Sequence, residues 1–510
     1  MDSKIIVSNH SVLVKKYGTK GLAKITKALS LLKAADSKRG IKSQIIFLDN
    51  KTAMKKVGGV AVFDAGSPKE NKAAIDAIYK KLRPEYLLIL GAADVIPHQN
   101  LDNLVFEPGA DDDRFAWSDL PYACSAAYSR DPRRFIGPSR VVGRVPDLAG
   151  ATEPSYLINV LKTSASYQSR APEEYEAYFS LSTLTWKKST QLSLNNIFGN
   201  NTKLRISPTM GPSHPPAQLG TRMHFINCHG GQASPEFQGQ KGNSYPIALT
   251  TNTLTGKIKE GTVAAVECCY GAELYEALTL GVDLPICQTY LEQGAYGYLG
   301  STTIAYGPAD FNGSADLICQ NFLLNVLGGA SLGRAVLMAR QQYVADVGQM
   351  DPIDLKTLSQ FYLLGDPSIH PVLKPKGIAP KGIIAEESEQ FSRAERRIKL
   401  QETGDFLEKT KPTVSKVSTK SKISPETKSS LSKLAKLAGL TANQSFQSFA
   451  VKVPAATKSQ KTKGVGTPTK YHLALGVPVK HTDDKVNRGV AVLAKELNGR
   501  IVGYRIYEQR

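Results

Sequence analysis

No stretch of this 510-residue sequence reaches the roughly 18 uninterrupted apolar residues that a membrane-spanning helix needs. The start, Met1-Asp2-Ser3-Lys4 followed by three apolar residues, lacks the longer apolar run of a secretion signal, and a cytoplasmic location is the expectation. Cysteine is scarce. Six residues, two of them adjacent, exclude a disulfide-stapled scaffold. Acidic side chains almost vanish from residues 409–470, where 13 lysines face a single acid, Glu426. This segment holds most of the net charge of +19, so any argument for nucleic acid or anionic surfaces concerns the tail alone. Aromatic residues to stack on bases are also missing there, apart from Phe446 and Phe449, which argues against nucleic acid as a partner and for a solvated linker. No repeat recurs at a period of 20–50 residues, which excludes a solenoid.

What is present points to a multidomain globular protein. An apolar share of 41% suffices for packed cores, and the length implies two or three of them. Short apolar runs at 4–8, 43–48 and 86–91 alternate with helical spacing at 19–35 and 70–82, which implies βαβ units and a parallel sheet. The alternation restarts near residue 178 and fades after 374. The expected layout is an α/β subdomain over 1–170, a second over 171–375, a lysine-rich and largely flexible linker over 376–470, and a small β-rich module over 471–510.

Two runs dominate the middle of the chain. Residues 222–231 and 261–271 are each mostly apolar and stop at His229-Gly230 and at Glu267-Cys268-Cys269-Tyr270-Gly271. Such runs read as strands buried on both faces, and ligands bind beyond the carboxyl ends of strands in open α/β sheets. An imidazole and a thiol would then share one sheet edge, where a cysteine nucleophile and its proton carrier are needed to cut a peptide bond.

These stretches resemble the clan of cysteine peptidases that contains caspases, legumains, clostripain, separase and the gingipains. His229-Gly230 and Glu267-Cys268 match its signature, 39 residues apart. A narrower likeness to gingipains runs through Leu87-Leu88-Ile89-Leu90-Gly91, Ser118-Asp119-Leu120-Pro121-Tyr122, Val142-Gly143-Arg144-Val145-Pro146, Gly300-Ser301-Thr302 and Gly365-Asp366-Pro367-Ser368. The resemblance covers residues 1–375. It implies a caspase/gingipain-like parallel-sheet sandwich in two subdomains and a cysteine endopeptidase that works without metal or organic cofactor. Cys268 would be the nucleophile and His229 the proton carrier, with the Gly230 and Cys268 N–H groups facing the oxyanion. Cleavage after Arg or Lys would draw on Asp119 and Asp131, and Ser301 and Thr302 would line the substrate wall. A protein substrate is implied, with the C-terminal extension open to a regulatory partner or able to occupy the cleft itself.

Alternatives stand beside this reading. Gingipains and separases place a glycine three residues after the nucleophile, which selects Cys268, whereas caspases place it two after, which would select Cys269. His224 lies inside its strand and reads as a core residue. A preference for Asp would use Arg144 or Arg134. Cys228, His229, Cys268 and Cys269 could in principle close a zinc tetrahedron, but adjacent residues on an extended chain point to opposite faces. The loop-like segment 107–134 carries Asp111, Asp112, Asp113, Asp119 and Asp131, which could form a calcium loop but lack the spacing of an EF-hand, and a solvated acidic loop is the expectation. Outside catalysis, the chain could be a silent peptidase-like scaffold or a binding protein working through its basic tail.

Overall fold

The computed structural model describes residues 2–374, 393–417, 423–454, 469–478 and 488–510. Parts of the expected linker, residues 376–392, 418–422 and 455–468, lie outside the described residues. The apolar runs form strands β1 (Asp2–Ser8), β2 (Ile41–Phe47), β3 (Tyr86–Leu90), β4 (Val142–Val145), β5 (Tyr178–Thr183), β6 (Leu204–Ser207), β7 (Met223–Asn227), β8 (Val263–Val266) and β9 (Gly297–Ser301). The short β10 (Tyr306–Gly307) follows, then β11 (Phe361–Leu364). Ten of these make one sheet in the order β2-β1-β3-β4-β11-β9-β8-β7-β5-β6. Every neighbouring pair is parallel except β11 with β9. Two parallel halves are therefore joined at an antiparallel seam. The strand that joins them, β11, comes from the far end of the second half.

Helices cover both faces, which is why the central strands β3, β7, β8 and β9 are buried along their whole length. Strand alternation sorts their side chains into two cores. Ile226, Cys228, Ala264, Val266 and Cys268 enter one, packed beneath helix residues such as Leu157 and Ile286. Met223, Phe225, Val263, Ala265 and Cys269 enter the other, under Leu194, Ile318 and Ala335.

Past residue 374 the composition misleads. Helix Arg393–Thr410 leads into β12 (Thr413–Lys416), and helix Pro425–Leu437 precedes β13 (Gln447–Lys452). Then come β14 (Lys470–Gly476), β15 (Val490–Leu497) and β16 (Arg500–Gln509). Together with β10 these strands form a six-stranded antiparallel sheet in the order β10-β16-β15-β14-β13-β12. The described part of the lysine-rich segment is thus built into the sheet rather than linking past it. The reason is amphipathicity: Thr427, Leu431 and Ala435 give the second helix one buried face, while its lysines stay on the other. Phe449, Leu473, Leu493 and Tyr507 then pack in a third core with Leu101, Tyr306, Ile353 and Leu358 from earlier in the chain. Among the described residues, no helix is long and apolar enough to cross a membrane.

Candidate active site

His229 and the cysteine pair leave β7 and β8 at neighbouring points of one sheet edge. The parallel register pairs Ile226 with Val266, and the Glu267 N–H still donates to the Ile226 carbonyl at 2.9 Å. Continued by three residues, that register sets Glu267 and Cys269 on the face of Asn227 and His229, and Cys268 on the face of Cys228. The contacts agree: Cys268 Sγ accepts from the Cys228 N–H at 3.4 Å and lies within the first core. Glycine is required at 230, because a side chain there would collide with the Cys269 carbonyl.

The imidazole of His229 is 1% exposed, with Trp186 at 4.4 Å and Tyr245 at 5.2 Å between ring centres. Nε2 meets Gln240 Oε1 at 2.7 Å. The Gln240 amide is oriented by its own donations to the Gly242 carbonyl at 3.1 Å and Tyr245 hydroxyl at 3.2 Å. Its oxygen can only accept, so the ring proton sits on Nε2, and Nδ1 keeps a lone pair that can take a proton. Burial, and then the charge of Arg488, hold the imidazole well below its ordinary pKa. The neutral ring is the resting form.

Cys269 lies within reach of the C-terminal strand. Its N–H donates to the Arg510 main-chain oxygen at 2.8 Å, while the Arg510 N–H donates to the Ala305 carbonyl at 3.0 Å. Cys269 Sγ accepts from the Ala305 N–H at 3.2 Å, and burial pushes the thiol up to about 12. The Arg510 guanidinium enters a closed pocket where it is paired with Glu267 and with both oxygens of Asp316, Nη2 lying 2.9 Å and 3.0 Å from them. Trp186 lies under its plane at 5.3 Å. Glu267, Asp316 and Arg510 are all fully buried. Glycine at 307 leaves the guanidinium its space, since a β-carbon would overlap it.

No family model matches the chain, and no curated protein sequence does. Among solved structures, a protease is similar over 100% of this chain and 97% of its own, at 14% identity and a TM-score of 0.45. Two structures of the Saccharomyces cerevisiae separase–securin complex are similar over 46% of this chain and 14% of theirs, at 14% and 11% identity with TM-scores of 0.27 and 0.26. Likenesses this weak carry no argument about chemistry, which has to come from the side chains themselves.

Several expected site residues lie elsewhere. Asp119 is buried against Arg144, with Nε at 2.8 Å and Nη2 at 2.6 Å, and against His98 at 2.9 Å. Burial alone would raise its pKa, but Arg144 and His98 outweigh that and hold it below the usual carboxylate range. Asp131 caps the short helix Pro132–Phe135 and pairs with Arg133 at 2.7 Å and 2.8 Å. Neither carboxylate is free to read a substrate, and Arg144 is equally committed. Ser301 donates to the carbonyls of Cys268 at 2.9 Å and Thr303 at 3.0 Å, so it supports the cysteine turn from behind. Thr302 donates to the Trp117 carbonyl at 2.6 Å and borders a cavity shared with His98 and Glu273. The edge that meets the C-terminal strand begins three residues later, at Ala305. Asp111 and Asp113 hold Lys356 Nζ at 2.5 Å and 3.2 Å instead of opening toward a cation. The zinc alternative fails on geometry, because Cys228 and Cys268 lie on one sheet face and His229 and Cys269 on the other.

Asp316, the one charged residue of helix Ala315–Leu327, was not among the expected site residues. Nothing local marks it as different from a first-turn acid that favours the helix dipole. Glu267 was legible in principle: two residues before Cys269, it must share that residue's face.

Proposed function

We propose that this chain is a cysteine endopeptidase that cleaves after arginine, with Cys269 in place of the expected Cys268 as nucleophile. The observation that supports it most strongly is the bond from the Cys269 N–H to the main-chain oxygen of an arginine whose side chain pairs with Glu267 and Asp316. That is the placement an acyl residue needs if the nucleophile's own amide is to stabilise the oxyanion. Cys268 packs instead in the core on the opposite face of the sheet.

In the reaction, Cys269 Sγ attacks the carbonyl carbon of the arginine while His229 Nδ1 takes the thiol proton. The Cys269 N–H, with the Gly230 N–H beside it, holds the oxygen as it becomes anionic. His229 returns the proton to the leaving amine, the C–N bond breaks and a thioester remains. Water, deprotonated by His229, then attacks the thioester, releasing the acid and the thiol. Glu267 and Asp316 discriminate through a planar guanidinium; the bidentate geometry at Asp316 favours arginine over lysine.

The test is hydrolysis of arginyl peptides by single variants. Cys269→Ala and His229→Ala should each lower kcat by about 10³-fold or more, the scale of losing a nucleophile or its base. Cys268→Ala should retain most of the activity. Full activity in Cys269→Ala would return the assignment to Cys268.

A further inference from the structure

The C-terminal strand takes the place of a substrate. β16 lies antiparallel to β10, pairing Tyr306 with Gln509 and Gly307 with Glu508, and the ladder ends in the Arg510 N–H to Ala305 bond. An extended peptide added to a sheet edge, with one side chain anchored in a pocket, is a common way for proteins to bind peptides. Here that edge and pocket lie at the His229–Cys269 site. The neighbouring strand contributes as well: just before β15, Arg488 donates to the Gly230 carbonyl at 3.0 Å and to Gln238 Oε1 at 2.7 Å, clamping the His229 turn. Gly489 and Gln509 exchange bonds at 2.7 Å and 3.1 Å, which ties the Arg488 clamp to the Arg510 anchor.

A peptide substrate would need the same Cys269 N–H, the same Ala305 carbonyl and the same pair of carboxylates. Both cannot be bound at once. Glu267 and Asp316 lie 0% exposed in one pocket, and two sealed carboxylates are costly without a cation between them. A tethered occupant competes at an effective concentration on the order of mM, well above the level of an ordinary protein substrate.

Building on the peptidase reading, we propose that the 488–510 hairpin is a pseudosubstrate carried in cis. It seats Arg510 where a substrate's arginine will sit, and turnover begins only when a partner or a modification draws the hairpin away. This narrows the expectation that the C-terminal extension would occupy the cleft to its last strand: β12 and β13 form the distant side of the second sheet, and helix Pro425–Leu437 packs on β15 and β16.

The experiment uses the full chain and two readouts. Iodoacetamide alkylation of Cys269, followed by mass spectrometry, reports access to the thiol whether or not the protein cleaves anything. Hydrolysis of an arginyl fluorogenic peptide reports catalysis. Arg510→Glu, which sets a third carboxylate against Glu267 and Asp316, should raise both rates by about tenfold or more, equivalent to about 1.4 kcal/mol of lost closure. Arg510→Lys keeps the charge but loses the planar fork, and should fall between. Arg500→Glu, on a side chain 78% exposed, should match wild type. If Arg510→Glu does not fold, the Arg510→Lys comparison carries the test. Unchanged alkylation in a folded Arg510 variant would overturn the proposal. Faster alkylation with no hydrolysis would leave the closure standing and remove the peptidase reading instead.

Discussion

Glu273 lies four residues past Cys269, and its carboxylate accepts the Ala233 N–H at 2.6 Å. Ala233 has a positive φ of 49°, so this bond fixes a turn that few non-glycine residues adopt, just beyond His229-Gly230-Gly231. Burial, with a smaller contribution from Asp113, pushes Glu273 up to about 7 from its ordinary 4.5. A carboxyl raised on folding binds more protons folded than unfolded. Its stability contribution is therefore complete below about pH 4.5 and is lost as pH rises toward 7. Glu273→Gln should remove that slope. The thermal midpoint of wild type should fall relative to the variant across this window, by about 1 °C for each kcal/mol involved in a chain of this length. Parallel midpoint curves would count against it. The same scale shows what one sequence can disclose. His229 was legible because an apolar run ended on it. The choice between Cys268 and Cys269 was not, because both follow the same run and the family spacings disagree; only strand parity, counted from an observed register, separates them.

The loop around residues 107–113 looked like a solvated acidic turn, and as an element it is nearly the opposite. Asp111 accepts from the Tyr306 hydroxyl at 2.8 Å, Asp113 accepts from the Tyr270 hydroxyl at 2.8 Å and the Ile304 N–H at 2.7 Å, and Lys356 pairs with both. Tyr270 follows Cys269 and Tyr306 belongs to β10, so one loop ties the cysteine turn to the edge strand. Sequence could not show this, since the lysine that changes the loop's meaning is more than 240 residues away. Lys356→Met would leave two carboxylates uncompensated, one of them completely buried. The expected cost is about 3–5 kcal/mol, the scale for removing one partner of a buried pair, read as a lower denaturant midpoint. Lys356→Arg should recover part of it. A midpoint within error of wild type for Lys356→Met would show that the loop is solvated after all.

At the scale of the whole molecule, the parallel halves were legible because buried strands leave apolar runs and covering helices leave spaced ones. The seam between them was not, because strand direction across a sheet depends on where β11 returns, and Phe361–Leu364 reads alike in either direction. The second sheet was partly legible: a β-rich module was expected over 471–510, where β15 and β16 and most of β14 lie, whereas β12 and β13 fall in the stretch expected to be a linker. Its docking was hidden, since it joins β10 to β16 across some two hundred residues. That docking is uneven. β16 shares eight register positions with β15 but only two with β10. Under a pulling load the short ladder shears first, while the long one stays closed. The end of β16 would peel from β10 and unhook Arg510, while β15 stays in the sheet through its seven register positions with β14, so the strand end could swing back without refolding. Work done at that corner is spent first on a few polar contacts and one sealed ion cluster, whereas the same force spread along the hairpin also meets the β14 ladder and the third core.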